Sequence, residues 1–349
     1  VVVPQFWHGH EMIFGFFTAA IAGFLLTAVP SWTGRSGFAG IPLMLLTLAW
    51  LSGRIAFAMA GVLPWSVIVA VELAFLPALM VVLGPSLLRT ISRNTPLLFV
   101  LFILWIADAV FLFGVWKGDA IMVTAALRGG LGIVLVLVTV IGGRIVPAFT
   151  GNALKARGLA VNMRNNRVVE YLVIPAMLAY AISDVVDPFG RYTAVIAALA
   201  ASLQLWRLSR WHGLKTGTQP IVWILHVAYL WLPVGLFLKA IYVFTGAAWA
   251  VHWLHALGAG AAATMILAVM TRASLGHTGR ALVVPKAIAV AYGLLVASVA
   301  VRVFGSSILP LGYRTTIVVA GALWLVSFGI YVLVYMPILL GPRADGRPG

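Results

Sequence analysis

Apolar runs of helix length follow one another through the whole chain, parted by short connections marked with Gly, Pro, Lys and Arg. Eleven such runs are discernible, over residues 8–29, 38–62, 65–88, 96–115, 119–146, 168–186, 192–208, 221–244, 249–270, 284–304 and 316–339. Crossing the hydrocarbon core of a bilayer takes about 20 apolar residues in a helix. The runs are too evenly apolar to be the alternating strands of an outer-membrane barrel. The expected fold is therefore all-α, a polytopic transmembrane helical bundle forming one transmembrane domain over residues 1–349.

Several runs end alike. "TAVPSWTG" closes the first, "RIVPAFTG" the fifth and "MTRASLGHTG" the ninth, so Thr-Gly pairs end at Gly34, Gly151 and Gly279. The spacings are 151 − 34 = 117 and 279 − 151 = 128 residues, and each interval holds four runs. A glycine alone would signal only a helix C-cap. Three related endings on one period predict a threefold pseudo-repeat of four helices. Three fours make twelve, so a further helix is expected ahead of Val1.

Composition supports a lipid environment. Hydrophobic residues make up 63% of the 349 and charged ones 9%, with a mean hydropathy of +1.09. The formal charge of +15 would suggest nucleic acid in a soluble protein. Here the basic residues sit in the connections, where anionic lipid headgroups are the natural partner and no nucleic acid is needed. Sixteen Lys and Arg fall on one side of the alternating runs, among them Arg93, Arg157, Arg164, Lys215 and Arg347, and six on the other, with Arg128 left inside a run. The richer side is expected to be cytoplasmic. The basic connection at 151–167 is expected to lie at the headgroups.

Seven histidines and no cysteine restrict the chemistry. Disulfides, Fe–S clusters, thiolate ligation and covalent c-type haem attachment are excluded. "WHGHEM" (7–12) places His8 and His10 before Glu11 where the first run begins, and "HWLHAL" (252–257) places His252 and His255 at the start of the ninth. His10 lies 24 residues before Gly34, and His255 lies 24 before Gly279; the middle copy has Leu127 there, beside Arg128. By the sidedness above, all four histidines face the outer, periplasmic leaflet. Buried imidazole is costly unless paired or ligated, and it is a ligand of haem iron and of copper. His8 and His10 are about 200° apart on a helix, so they face different sites; His252 and His255 are about 60° apart and share a face. Interfacial hydrogen bonding beside Trp7, Trp249 and Trp253 is the plainer alternative.

Glu11 is placed to orient an imidazole or to carry protons as a catalytic group. His226, within "WILHVAYLWLP", is a candidate second metal ligand, proton relay or satisfied core histidine. His277 and Arg272 are a candidate clamp for an anion or haem propionate. Arg54, Glu72, Asp108, Arg128 and Lys239 are ionisable groups inside apolar runs, expected as a proton path or as structural pairs.

"WHGHEMIFGF", "IAGFLLTAVPSWTG", "GRIVPAFTGN", "PIVWILHVAYLWLP" and "ILAVMTRASLGHTGR" resemble the NnrS family of bacterial membrane proteins. The resemblance implies a twelve-helix inner-membrane protein containing haem b and copper, linked to denitrification and protection against nitric oxide. His8, His10, His226, His252, His255 and His277 fall inside the matching motifs. The four-helix repeat also resembles, more distantly, the catalytic subunit of haem-copper oxidases. That pattern wants histidines on the second, sixth and tenth helices, and here the sixth would carry Arg128 instead. The expected function is binding or reduction of nitric oxide, with His8 or His10 opposite His252 or His255 across a haem, and a respiratory electron donor as partner. A haem or copper sensor, a metal-handling protein and a secondary transporter are the other readings.

Overall fold

A computed structural model describes residues 2–35, 37–89, 94–159, 166–308 and 311–346. Arg93, Arg164 and Arg347, and part of the basic connection at 151–167, lie outside the described residues. Among the described residues, eleven long helices follow in chain order: α1 Pro4–Thr33, α2 Ile41–Ala58, α3 Trp65–Arg89, α4 Pro96–Lys117, α5 Ala120–Ala156, α6 Arg167–Val186, α7 Arg191–Ser209, α8 Pro220–Thr245, α9 Ala248–His277, α10 Lys286–Phe304 and α11 Tyr313–Leu340. Prolines at the first positions of α1, α4 and α8 suit the helix start, where a missing N–H costs nothing.

Among the described residues, ten of these helices are long and apolar enough to cross a membrane. The exception is α7, which sequence alone suggests as an eleventh span. Its polar residues Gln204 and Arg207 are buried, and they face partners inside the protein, not lipid. On the spanning helices, outward residues are apolar too, as at Leu45, Val81 and Phe99. A helix apolar on all sides is one whose solvent is lipid or protein throughout.

The repeat-heading helices α1, α5 and α9 each widen into a π-helical stretch, at Glu11–Phe17, Val138–Gly142 and Ala256–Ala263. The first and third of these begin directly after His10 and His255. A π turn leaves a carbonyl without its usual partner, and other groups fill the gap. Trp50 Nε1 donates to Gly15 O at 3.0 Å, Arg207 Nη1 to Thr139 O at 2.7 Å, and Thr264 Oγ1 to Ala259 O at 3.1 Å. Gly34 and Gly279 adopt left-handed φ of 66° and 69° just past their helices, as the Thr-Gly motif predicts. The middle copy differs. There α5 runs on to Ala156, so Gly151 is inside the helix. Thr150 is buried, with its hydroxyl on Val146 O and against His226.

The chain divides into two compact units, Val1–Val134 with Asp184–Val186, and Leu135–Ser183 with Asp187–Gly349. The first is cored by Phe14, Phe57, Ile68, Leu79, Leu104 and Phe111, and the second by residues such as Leu225, Tyr229, Leu236 and Leu267. His8 and His10 belong to the first unit, and His252 and His255 to the second.

Candidate metal centre

In the first unit, one polar cluster is assembled from four apolar helices. His10 lies at the end of the first α-helical turns of α1 and is fully buried. Its ring is held between Phe57 and Phe111, with centroids 4.0 and 4.6 Å away. His10 Nε2 lies 3.0 Å from Asp108 Oδ1 on α4 and 3.7 Å from Glu72 Oε1 on α3. On the other edge, Nδ1 is 3.3 Å from Glu11 Oε1. Arg54 on α2 donates from Nη1 to Glu11 Oε1 at 2.5 Å and from Nη2 to Glu72 Oε1.

Local structure makes room for these charges. Gly53 lacks a Cβ that would stand 2.8 Å from Glu72 Oε2, and at Gly15 a Cβ would stand 2.8 Å from Arg54 Nη1. The α-helical geometry of α3 is interrupted between Glu72 and Phe75. The freed carbonyl of Leu73 accepts from Trp105 Nε1 at 3.0 Å. Irregular backbone at such depth persists only where protein groups satisfy it.

Potential ligand atoms of His10, Glu72 and Asp108 all lie within 4.8 Å of one another, with all three residues buried. Three carboxylates share one guanidinium and one imidazole: Arg54 meets Glu11 and Glu72, Asp108 meets His10, and Glu72 Oε2 is buried without a hydrogen-bond partner. Such an excess of negative charge at low dielectric calls for protons or a cation. One imidazole with two carboxylates is a donor set for a divalent first-row ion. A cavity of about 10 Å³ lined by Trp50, Gly53, Phe75 and Leu76 adjoins Glu72 and Asp108. It has room for a water or a bare ion, far short of the several hundred Å³ of a typical cofactor pocket.

The other sequence-derived candidates are distributed as follows. His8 is exposed on α1. His252 and His255 are half-buried at the start of α9, with ring centroids 6.0 Å apart and planes at 82°. His252 Nε2 lies 3.3 Å from Ser306 Oγ. His226 is buried in α8, with Nε2 2.8 Å from Thr150 Oγ1. Arg272 lays its guanidinium on the face of Phe149 at 3.7 Å. The His277 side chain is exposed, and its carbonyl accepts from Arg343 Nη1 at 2.7 Å. Arg272 follows His255 by 17 residues on α9, about 25 Å at the helical rise.

Glu72 and Asp108, read from sequence as a proton path or structural pairs, stand with His10 and complete the cluster. The signal available in the sequence was a lone acid on each of two successive apolar runs. Arg128 pairs with Asp184 at 3.2 Å, an acid that sequence reading did not single out. Lys239 is buried over the rings of Trp253 and Phe189, at 4.5 and 5.0 Å.

Among protein families, the model described as NnrS protein matches residues 2–343 of the chain. No curated protein matches it.

Proposed function

Because the chain belongs to the NnrS family, and is on that ground a nitric-oxide-related membrane protein, we propose that His10, Glu72 and Asp108 hold a transition-metal ion beside which nitric oxide is bound or reduced. The observation carrying this reading is the convergence of three buried ligand atoms within 4.8 Å, inside helices otherwise apolar.

The family resemblance implies copper and haem b, and the donors fit them differently. Imidazole with carboxylates suits copper(II) or non-haem iron. A porphyrin has no approach to His10, whose ring is covered by two phenylalanines and whose Nε2 is turned to carboxylates. Haem ligation falls instead to His252 and His255, whose half-buried rings stand at the start of α9, or to exposed His8. Bound at such ligands, a reduced iron or copper supplies an electron-rich centre with an open position for nitric oxide.

The protein's own residues supply the rest. Glu11, tied to Arg54, holds His10 from its Nδ1 edge and fixes which nitrogen faces the ion. Phe14, Phe57 and Phe111 exclude bulk water from it. With Glu72 and Asp108 ionised as ligands, Glu11 is the acid left beside His10 to carry protons to the site. Reduction would join two nitric oxide molecules with two protons and two electrons, giving nitrous oxide and water, and a respiratory donor must supply the electrons. Lys and Arg asymmetry supports a periplasmic position for the histidine-bearing starts of α1 and α9, and the family resemblance implies the bacterial inner membrane.

Metal content tests the reading directly. Protein purified from cells supplied with iron and copper should carry non-haem metal in the wild type. His10→Ala should lose it, and Asp108→Asn should lower its affinity by about 100-fold. A haem absorption band should survive His10→Ala and change in His255→Ala. Wild type devoid of both metals would refute the proposal. Sustained nitric oxide consumption with a reductant separates turnover from sensing, and a protein that moves solute without bound metal would be the transporter.

A further inference from the structure

In the second unit, the turn that joins α7 to α8 gathers positive charge without a counter-charge. Lys155 and Arg157 stand at the end of α5, and Arg210 and Lys215 belong to the turn; all four are exposed. Arg157 Nη1 donates to Lys215 O at 3.0 Å, which joins the two stretches at one corner. The unit holds three acids, Glu170, Asp187 and Asp345. Arg207 takes Glu170 and Arg343 takes Asp345, while Asp187 precedes the far end of α7. Among the described residues, none of the three pairs with this corner.

The corner is held in place from within. Buried Thr216 donates from Oγ1 to Gly213 O at 2.6 Å and closes the turn Gly213–Thr216. Fully buried Trp211, edge-on to Tyr229 with centroids 4.6 Å apart, ties its start to α8. Arg210 lies over the ring of exposed Trp206 at 5.1 Å, and Arg157 is oriented by the Lys215 carbonyl. Each guanidinium has more N–H donors than these contacts use. Such planar forks match the oxygens of a phosphate, and side chains already oriented lose less freedom on binding one.

Apolar surface beside the cations tells where the phosphate comes from. Leu214, next to Lys215, has its side chain entirely exposed, and Trp206 is exposed too. Here α5 ends and α8 begins, both long and apolar enough to cross a membrane. The corner therefore lies at the edge of the hydrocarbon, where leucine and indole reach acyl chains and basic side chains reach headgroups. We infer that this corner seats an anionic phospholipid, its phosphate held by Arg157, Arg210 and Lys215 and its chains against Leu214 and Trp206. Basic pockets at the ends of membrane helices take lipids of this class. The inference rests on neither the metal nor the nitric oxide reading.

Full chain in detergent, titrated with phosphatidylglycerol, phosphatidylcholine or inorganic phosphate, provides the test, read by native mass spectrometry with the thermal midpoint as a check on folding. Wild type should retain phosphatidylglycerol in preference to phosphatidylcholine, whose choline cancels the phosphate charge. Arg157→Gln, Arg210→Gln and Lys215→Gln should each weaken that retention by about fivefold. Arg35→Gln, at an exposed cation of the other unit, should leave it unchanged. Leu214→Ser should weaken the lipid and not inorganic phosphate, which has no chains to lose. All five substituted side chains are exposed, so the fold should hold in each variant. An equal loss in Arg35→Gln would mean diffuse attraction to a basic surface and would overturn the inference. Inorganic phosphate bound as tightly as the lipid would overturn it as well, and so would retention unchanged in all three basic variants of the corner.

Discussion

Arg54 and Arg128 carry out the same task with opposite partners. Glu11 and Arg128 each lie 23 residues before the Thr-Gly glycine of their repeat, Gly34 and Gly151. Glu11 is met by Arg54 near the end of α2, and Arg128 by Asp184 near the end of α6. The first two copies thus keep an ion pair between their first two helices while exchanging the signs. Buried pairs of this kind contribute little net stability when intact, yet leaving one charge alone costs about 3–5 kcal/mol. Arg128→Leu should therefore lower the thermal midpoint sharply in detergent. The double variant Arg128→Leu with Asp184→Leu should recover most of the loss. A double variant as unstable as the single one would mean that the pair itself, not the orphaned acid, sets the cost.

Helices here are adjusted around buried polar side chains. In the second unit, Arg207 on α7 donates to Glu170 at 2.8 and 2.5 Å, to Tyr229 Oη at 3.1 Å and to the π-turn carbonyl of Thr139. Gln204 Nε2 adds a bond to Thr139 Oγ1 at 2.9 Å. The widened turn of α5 and the buried guanidinium require each other: one exposes a carbonyl, and the other fills it. Gly143 completes the fit, since a Cβ there would stand 2.1 Å from Arg207 Nη1. On propensity alone, Gly→Ala in a helix should stabilise by about 1 kcal/mol. Gly143→Ala should instead destabilise, by about 3 kcal/mol or more, because the guanidinium loses its seat among buried acceptors. Thermal unfolding beside Gly23→Ala, where a Cβ meets nothing within 4 Å, checks the reversal of sign.

The chain as a whole offers an unusually clean test of sidedness, because it has no cysteine. Single cysteines at Trp7 and Val251, both exposed, should react in intact spheroplasts with a thiol reagent that does not cross the membrane. Cysteines at exposed Arg157 and Lys215 should react only after permeabilisation. The opposite result would invert the orientation drawn from Lys and Arg and move the His10 centre to the cytoplasmic face. Ten apolar helices make the multi-pass character independent of that outcome.

Most helices and their ends were legible beforehand, since apolar run length and cap residues such as Gly34 and Gly279 act locally, through hydrocarbon thickness and backbone φ. The equal offsets of His10 and His255 from Gly34 and Gly279 were legible for the same reason, as a count along the chain. Three features were not. One is α7, which reads as a span until Arg207 and Gln204 find partners on other elements. Another is the widening of α1, α5 and α9, since a π turn is stable only where a side chain such as Trp50 or Arg207 arrives to fill its carbonyl. The last is the union of His10, Glu72 and Asp108, which come from α1, α3 and α4. Spacing within a helix says which face a residue takes; which faces then meet depends on how whole helices pack, and it is packing that turned scattered acids into a set of ligands.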